Sequence, residues 1–126
     1  MKTSKASLLA GFTLVEIMIV VAVIGILAAI GIPSFVKARS RSQATACINN
    51  LRQIEAAVQQ FAIEKGKRVG DEVIYPDDIT AYIKLNSENS IPPCPAGGEY
   101  RLLTVGMVPQ ALCSLGTTVD PPHILQ

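Results

Sequence analysis

One segment dominates what this chain can fold into. Between Phe12 and Val36, 19 of 25 residues are apolar, and Glu16 is the only charged side chain. A helix rises about 1.5 Å per residue, so such a run spans roughly 37 Å, enough to cross the hydrocarbon core of a bilayer. A secretory signal peptide, with Lys2 and Lys5 as its basic start, is a poorer fit, because its apolar region covers only about 7–15 residues and ends at a small-residue cleavage site. A buried core helix fits no better. The rest of the 126-residue chain is too short and too polar to wrap such a helix on all sides. The segment therefore reads as a single membrane-spanning helix.

Glu16 is the anomaly within it. A carboxylate deep in an apolar helix costs about 2.5 kcal/mol or more, so it is usually paired or functional. A place near one end of the run lowers that cost and leaves open a carboxyl at headgroup level, snorkelling or protonated. The other reading needs a cation within a helical turn. A cut before Phe12 creates one, an α-amine four residues from Glu16. Basic residues flank the run on both sides, Lys2 and Lys5 before it and Lys37, Arg39 and Arg41 after it, so charge alone does not orient the helix. The three after it either meet anionic headgroups or simply end the apolar segment.

The residues around this run closely resemble the processing site of type IV prepilins and pseudopilins. A short basic leader, Lys5-Ala6-Ser7-Leu8-Leu9-Ala10-Gly11, is followed by an aromatic at Phe12 and by Glu16 four residues later, all in one register. The resemblance covers residues 1 to about 65. It implies that a prepilin peptidase cuts between Gly11 and Phe12 on the cytoplasmic side and N-methylates Phe12. It implies a leader at 1–11, a transmembrane and filament-core helix at 12–36, an amphipathic continuation at 37–65 and a small head at 66–126. The chain would sit once across the bacterial inner membrane, N-terminus cytoplasmic and head periplasmic. It would then be extruded by an assembly platform into a filament of its own copies and minor pilins or pseudopilins, in the periplasm or at the cell surface. In that filament Glu16 would neutralise the Phe12 ammonium of a neighbouring subunit. The function expected is that of a structural subunit, a type II secretion pseudopilin first and a surface pilin second. A monomeric anchored binding module is the more distant alternative.

Gly25, Gly31 and Pro33 interrupt the helical pattern. Pro33 lacks the backbone donor of its turn and crowds the carbonyl four residues back. The two glycines lower helix propensity further. A kink, or melting of this segment on assembly as the resemblance implies, is expected here. Beyond it, Ala44, Cys47, Ile48, Leu51, Ile54, Val58 and Phe61 recur every three or four residues, the stripe of an amphipathic helix. Gly66 is a natural stop. The whole helix would be some 54 residues and about 80 Å long.

The stripe needs a cover, and residues 66–126 are the available one. Asp77 to Ile83 reads as a short helix capped by Asp77. Tyr100–Val105 and Gln110–Ser114 read as strands around a turn at Gly106–Pro109. The fold class expected is α+β and pilin-like: a long N-terminal helix packed on an antiparallel sheet of two to four strands. Cys47 lies on the stripe as a buried thiol. Of the three possible pairings, Cys94–Cys113 is therefore favoured as a disulfide, the alternative being two unpaired buried thiols. Some small pseudopilins carry a similar Cys-bracketed hairpin.

Near-zero net charge, +1, gives no basis for nucleic-acid binding. His123 is the single histidine and Trp is absent. No zinc motif, phosphate loop or catalytic triad is legible, so no enzyme activity, no metal site and no cofactor are expected. Asp71, Glu72, Asp77, Asp78 and Asp120 admit calcium, but they form no compact ligand-spaced loop. His123, near the tail, is expected at the surface.

Overall fold

The computed structural model describes residues 11–125. The leader expected at 1–11 therefore lies, but for Gly11, outside the described residues. Among the described residues there is one α-helix, α1 (Leu14–Glu64), and it runs unbroken through Gly25, Gly31 and Pro33. The described residues divide into two compact units, a first up to Val36 and a second from Lys37.

In the first unit α1 starts on a local signal. The Glu16 backbone N–H donates to Oγ1 of Thr13 at 3.2 Å, so Thr13 satisfies one of the N–H groups that a helix start leaves without an intrahelical partner. Thr13 and Glu16 stand in the S/T-x-x-E spacing of a capping box, and the acid lies in the first turn, where the helix dipole favours it. No residue of the apolar run is buried; Phe12 is 81% exposed and Ile30 72%. Pro33 leaves the Ala29 carbonyl without its usual donor, yet the helix continues across it.

In the second unit α1 buries Ala44, Cys47, Leu51, Ile54, Ala57, Val58, Phe61 and Ala62. This is the expected stripe with two additions and one change. Ala57 and Ala62 are small enough to lie under the cover, while Ile48 is half-buried. The helix ends in a Schellman motif. Gly66 has φ +63, its N–H donates to Ile63 O, and the Lys67 N–H donates to Ala62 O at 2.8 Å. Those two bonds satisfy carbonyls of the last turn.

The cover is mostly loop. Two strands, β1 (Tyr100–Leu102) and β2 (Ala111–Cys113), pair antiparallel with Tyr100 opposite Cys113. They are shorter than the expected strands, because Leu103 to Gln110 is closed by turn hydrogen bonds, Leu103 N–H to Gln110 O at 2.8 Å among them. Val73, Ile79, Ile91, Tyr100, Val105 and Ala111 close over the helix stripe. Edge-on packing of Phe61 on Tyr82, with ring centroids 6.0 Å apart, adds to this contact.

The short helix expected at Asp77 is a series of turns ending in one 3-10 turn, Thr80–Tyr82, without a side-chain cap. Asp77 does not cap it. Instead Asp78 Oδ2 accepts the Ile74 N–H at 2.9 Å, and Pro76 O receives both the Thr80 N–H and its hydroxyl. The segment closes on itself through these bonds rather than propagating a helix.

Gly106 holds φ +86, and a Cβ there would meet Val69 Cγ1 at 2.7 Å. Val69 is exposed and can turn aside, so the backbone carries most of the cost. Gly106→Ala is expected to destabilise the second unit by about 1–2 kcal/mol, read as a lowered thermal midpoint with unchanged secondary structure.

Candidate functional site

The first candidate site is the start of α1. Gly11 and Phe12 precede the helix outside regular secondary structure, with Thr13 as the cap. A cut between Gly11 and Phe12 would leave the new amine directly ahead of the first turn, and Glu16 in that turn. The peptide bond is accessible: Gly11 and Phe12 are exposed. Gly25 and Gly31 face open space in the single chain. Among the described residues of this unit, the apolar side chains from Phe12 to Val36 are not buried. The helix has the length and composition to cross a membrane, and such surface is satisfied by lipid or by neighbouring helices.

Residues 10–32 match the prokaryotic N-terminal methylation motif. The N-terminal segment carries this motif and is similar to type IV pilins and fimbrial proteins. The pilin-like segment is 51% identical over 57 residues to the type IV major pilin protein PilA of Myxococcus xanthus, covering 45% of this chain and 26% of that protein. It is 45% identical over 65 residues to the type IV major fimbrial protein FimA of Dichelobacter nodosus, covering 52% of this chain and 41% of that protein. To a fimbrial protein of Pseudomonas aeruginosa it is 46% identical over 59 residues, covering 47% and 38%. The matches thus span less than half the length of these relatives. No solved structure matches. The matches cover about half of this chain and the motif only residues 10–32, so the head is read from its own geometry. The architecture, one long N-terminal helix with a small antiparallel sheet, is the α+β arrangement expected of a pilin-like chain.

The head holds a second constellation that the sequence pattern did not disclose. Cys47, Cys94, Cys113 and His123 are all buried, and their donor atoms all lie within 4.8 Å of one another. Cys94 Sγ stands 3.4 Å from Nδ1 of His123. Each comes from a different element: Cys47 from α1, Cys94 from the loop before β1, Cys113 from β2 and His123 from the tail. Asn50 on α1 donates through Nδ2 to Pro92 O, Pro93 O and Tyr100 Oη, and Gln43 Nε2 donates to Pro95 O. These bonds fix the Cys94 loop against the helix. The tail is drawn back by the His123 N–H to Gly116 O, 2.7 Å.

Cys47, Cys94 and Cys113 stand as free thiols in this structure, with Cys47 and His123 beside the pair expected as a disulfide, Cys94 and Cys113. One expectation is corrected here. His123 is not at the surface but 3% exposed. Burial pushes the Cys47 thiol up to about 12, aided by its contact with Cys94. Burial likewise raises Tyr100 well above the ordinary phenol range, against the opposing donation from Asn50. Burial also acts to raise Cys94, but the backbone N–H groups of Ala96 and Gly98 outweigh it and, with Cys47 and Cys113, hold that thiol below its ordinary value.

Two of the acidic residues considered for calcium accept loop N–H groups. Asp71 Oδ2 accepts the Arg68 N–H and Asp78 Oδ2 the Ile74 N–H. Another carboxylate has an unforeseen role. Glu55 Oε1 accepts the Gln110 N–H at 2.8 Å and ties α1 to the residue just before β2.

Proposed function

We propose that this chain is a structural subunit of a type IV pilus-like filament, cut between Gly11 and Phe12, N-methylated on Phe12 and polymerised through its N-terminal helix. The observation that carries the reading is the fixed register of Gly11, Phe12 and Glu16 at the start of an apolar helix whose side chains are exposed. In this reading the helix first waits in the inner membrane, N-terminus cytoplasmic and head periplasmic. A prepilin peptidase and an assembly platform are its processing and extrusion partners. No catalytic step is assigned to the chain. Gly25, Gly31 and Pro33 would loosen the helix as subunits pack.

Two kinds of filament fit. The names of the relatives, type IV pilins and fimbrial proteins, support a surface pilus. The small head, with only two short strands among the described residues, supports a type II secretion pseudopilin. Recovery of the chain in filaments sheared from the cell surface favours the first; recovery only in the envelope, with loss of protein secretion on deletion, favours the second.

The filament-subunit class is tested by intact mass and N-terminal sequencing of the chain expressed with and without a prepilin peptidase. The expected product starts at Phe12 and carries one added methyl, and it is formed only with the peptidase. A chain left uncut by the active peptidase, or cut beyond the apolar run, overturns the reading and brings the anchored binding module forward.

A further inference from the structure

We propose that Cys47, Cys94, Cys113 and His123 form a structural zinc site that fastens the head to the helix. The inference rests on the second unit alone and does not depend on how the N-terminus is processed.

The donor set is the first argument. Three sulfurs and one imidazole make up a Cys3His set, one of the recurrent structural zinc spheres. Soft thiolates with imidazole select zinc over the hard cations that carboxylates prefer. All four residues are buried, with Cys47 fully so. A closed four-coordinate site needs that enclosure, whereas a catalytic zinc keeps one position open.

The geometry is the second. With Zn–S near 2.3 Å and Zn–N near 2.0 Å, a regular tetrahedron has edges of about 3.8 Å between sulfurs and about 3.5 Å between sulfur and nitrogen. The Cys94–His123 contact of 3.4 Å already has the second length. The widest separation in the set, 4.8 Å, closes to an edge by a movement of about 1 Å, within the reach of side-chain rotation. Two paired sulfurs would leave a third thiol and an imidazole stranded beside them; one ion engages all four.

The surroundings are the third. Gly98 lies so near Cys113 that a Cβ there would stand 2.6 Å from its Sγ. A side chain at 98 would push that sulfur out of the cluster. On binding, the three thiols give up their protons to solvent and the imidazole binds as the neutral base, so affinity rises with pH.

The role follows from the placement. The β1–β2 hairpin is short, and much of the cover is loop. One ion joining the helix, the loop before β1, β2 and the tail would supply the cross-link that a small core lacks. It does so without a disulfide, from the same cysteines.

The test uses the full chain, purified in detergent without a polyhistidine tag. Metal analysis and native mass spectrometry are expected to find one zinc per chain. The denatured chain should show no loss of two hydrogens. Chelation should release the zinc and lower the thermal midpoint of the head, and added Zn²⁺, but not Mg²⁺ or Ca²⁺, should restore it. Co²⁺ in place of zinc should give the visible absorption of a tetrahedral thiolate site. His123→Ala, a change in the tail rather than in the helix core, should weaken zinc binding by at least about 100-fold, since even supporting residues around a metal are worth 10–100-fold. A Cys94–Cys113 disulfide in the peptide map, or a reduced, folded chain that takes up neither Zn²⁺ nor Co²⁺, overturns the proposal. So does His123→Ala with unchanged affinity and cobalt spectrum.

Discussion

Glu16→Val is expected to leave cleavage after Gly11 intact and to reduce filaments to below detection. The junction itself is untouched, since Gly11 and Phe12 lie ahead of the helix and the altered side chain is in its first turn. Assembly is different. When N-terminal helices pack side by side, the Phe12 ammonium of one subunit leaves water and needs a compensating carboxylate. Removing one partner of a buried pair costs about 3–5 kcal/mol, and in a polymer that cost recurs at every subunit added. Loss of charge must be separated from damage to the helix start. Thr13→Ala makes the separation, because it removes the Oγ1 that accepts the Glu16 N–H and keeps the carboxylate. It should cost about 1 kcal/mol of capping and still assemble. Immunoblots of the sheared fraction, with the processed and unprocessed bands in the membrane, give both readouts. Normal filaments from Glu16→Val cells would remove the charge-neutralisation role.

The helix was legible for physical reasons that act locally. A three-four repeat from Ala44 to Phe61 can bury its apolar side chains only as one face of a helix. Gly66 supplies the positive φ that a Schellman ending requires. Strand positions were legible too, though not their lengths, because turn closure between Leu103 and Gln110 depends on where the loop meets the rest of the head. Asp77 misled for a related reason. Both it and Asp78 suit a cap, and only the packed loop decides which N–H groups remain to be satisfied.

The metal-ligand set was illegible because its members are separated by tens of residues and no two form a close C-x-x-C pair. A lone histidine in a Pro-rich tail has no periodicity to reveal its burial. What carried information was indirect: an odd cysteine on the core stripe, and Gly97-Gly98 just after Cys94, where backbone must pass close to sulfur. The fold brings these distant residues together, and their chemistry then becomes specific.

The second large effect is expected in the core. Leu51→Ala should lower the stability of the head unit by about 2–5 kcal/mol, since Leu51 is fully buried in the middle of the helix stripe. Unfolded-state changes contribute little to such a truncation. What is lost is transfer of the removed methyl groups from water plus the cavity left against a cover with few regular elements to collapse inward. For a unit of this size each kcal/mol moves the thermal midpoint by about 4–8 °C, so a fall of roughly 10 °C or more is expected. The chain provides its own probe. It has no Trp and three Tyr, Tyr75, Tyr82 and Tyr100, all in the head, so tyrosine emission follows that unit while the apolar helix remains in detergent. Zinc must be held at one saturating concentration throughout, because a ligand that binds only the folded state adds to its stability. Ile63→Ala is the comparison: the same helix and a similar loss of atoms, but a side chain 83% exposed, with an expected change within about 0.5 kcal/mol. Equal midpoints for the two variants would mean that α1 does not bury its stripe against residues 66–126. In that case the geometry of the Cys and His cluster, which hangs on that packing, would fall with it.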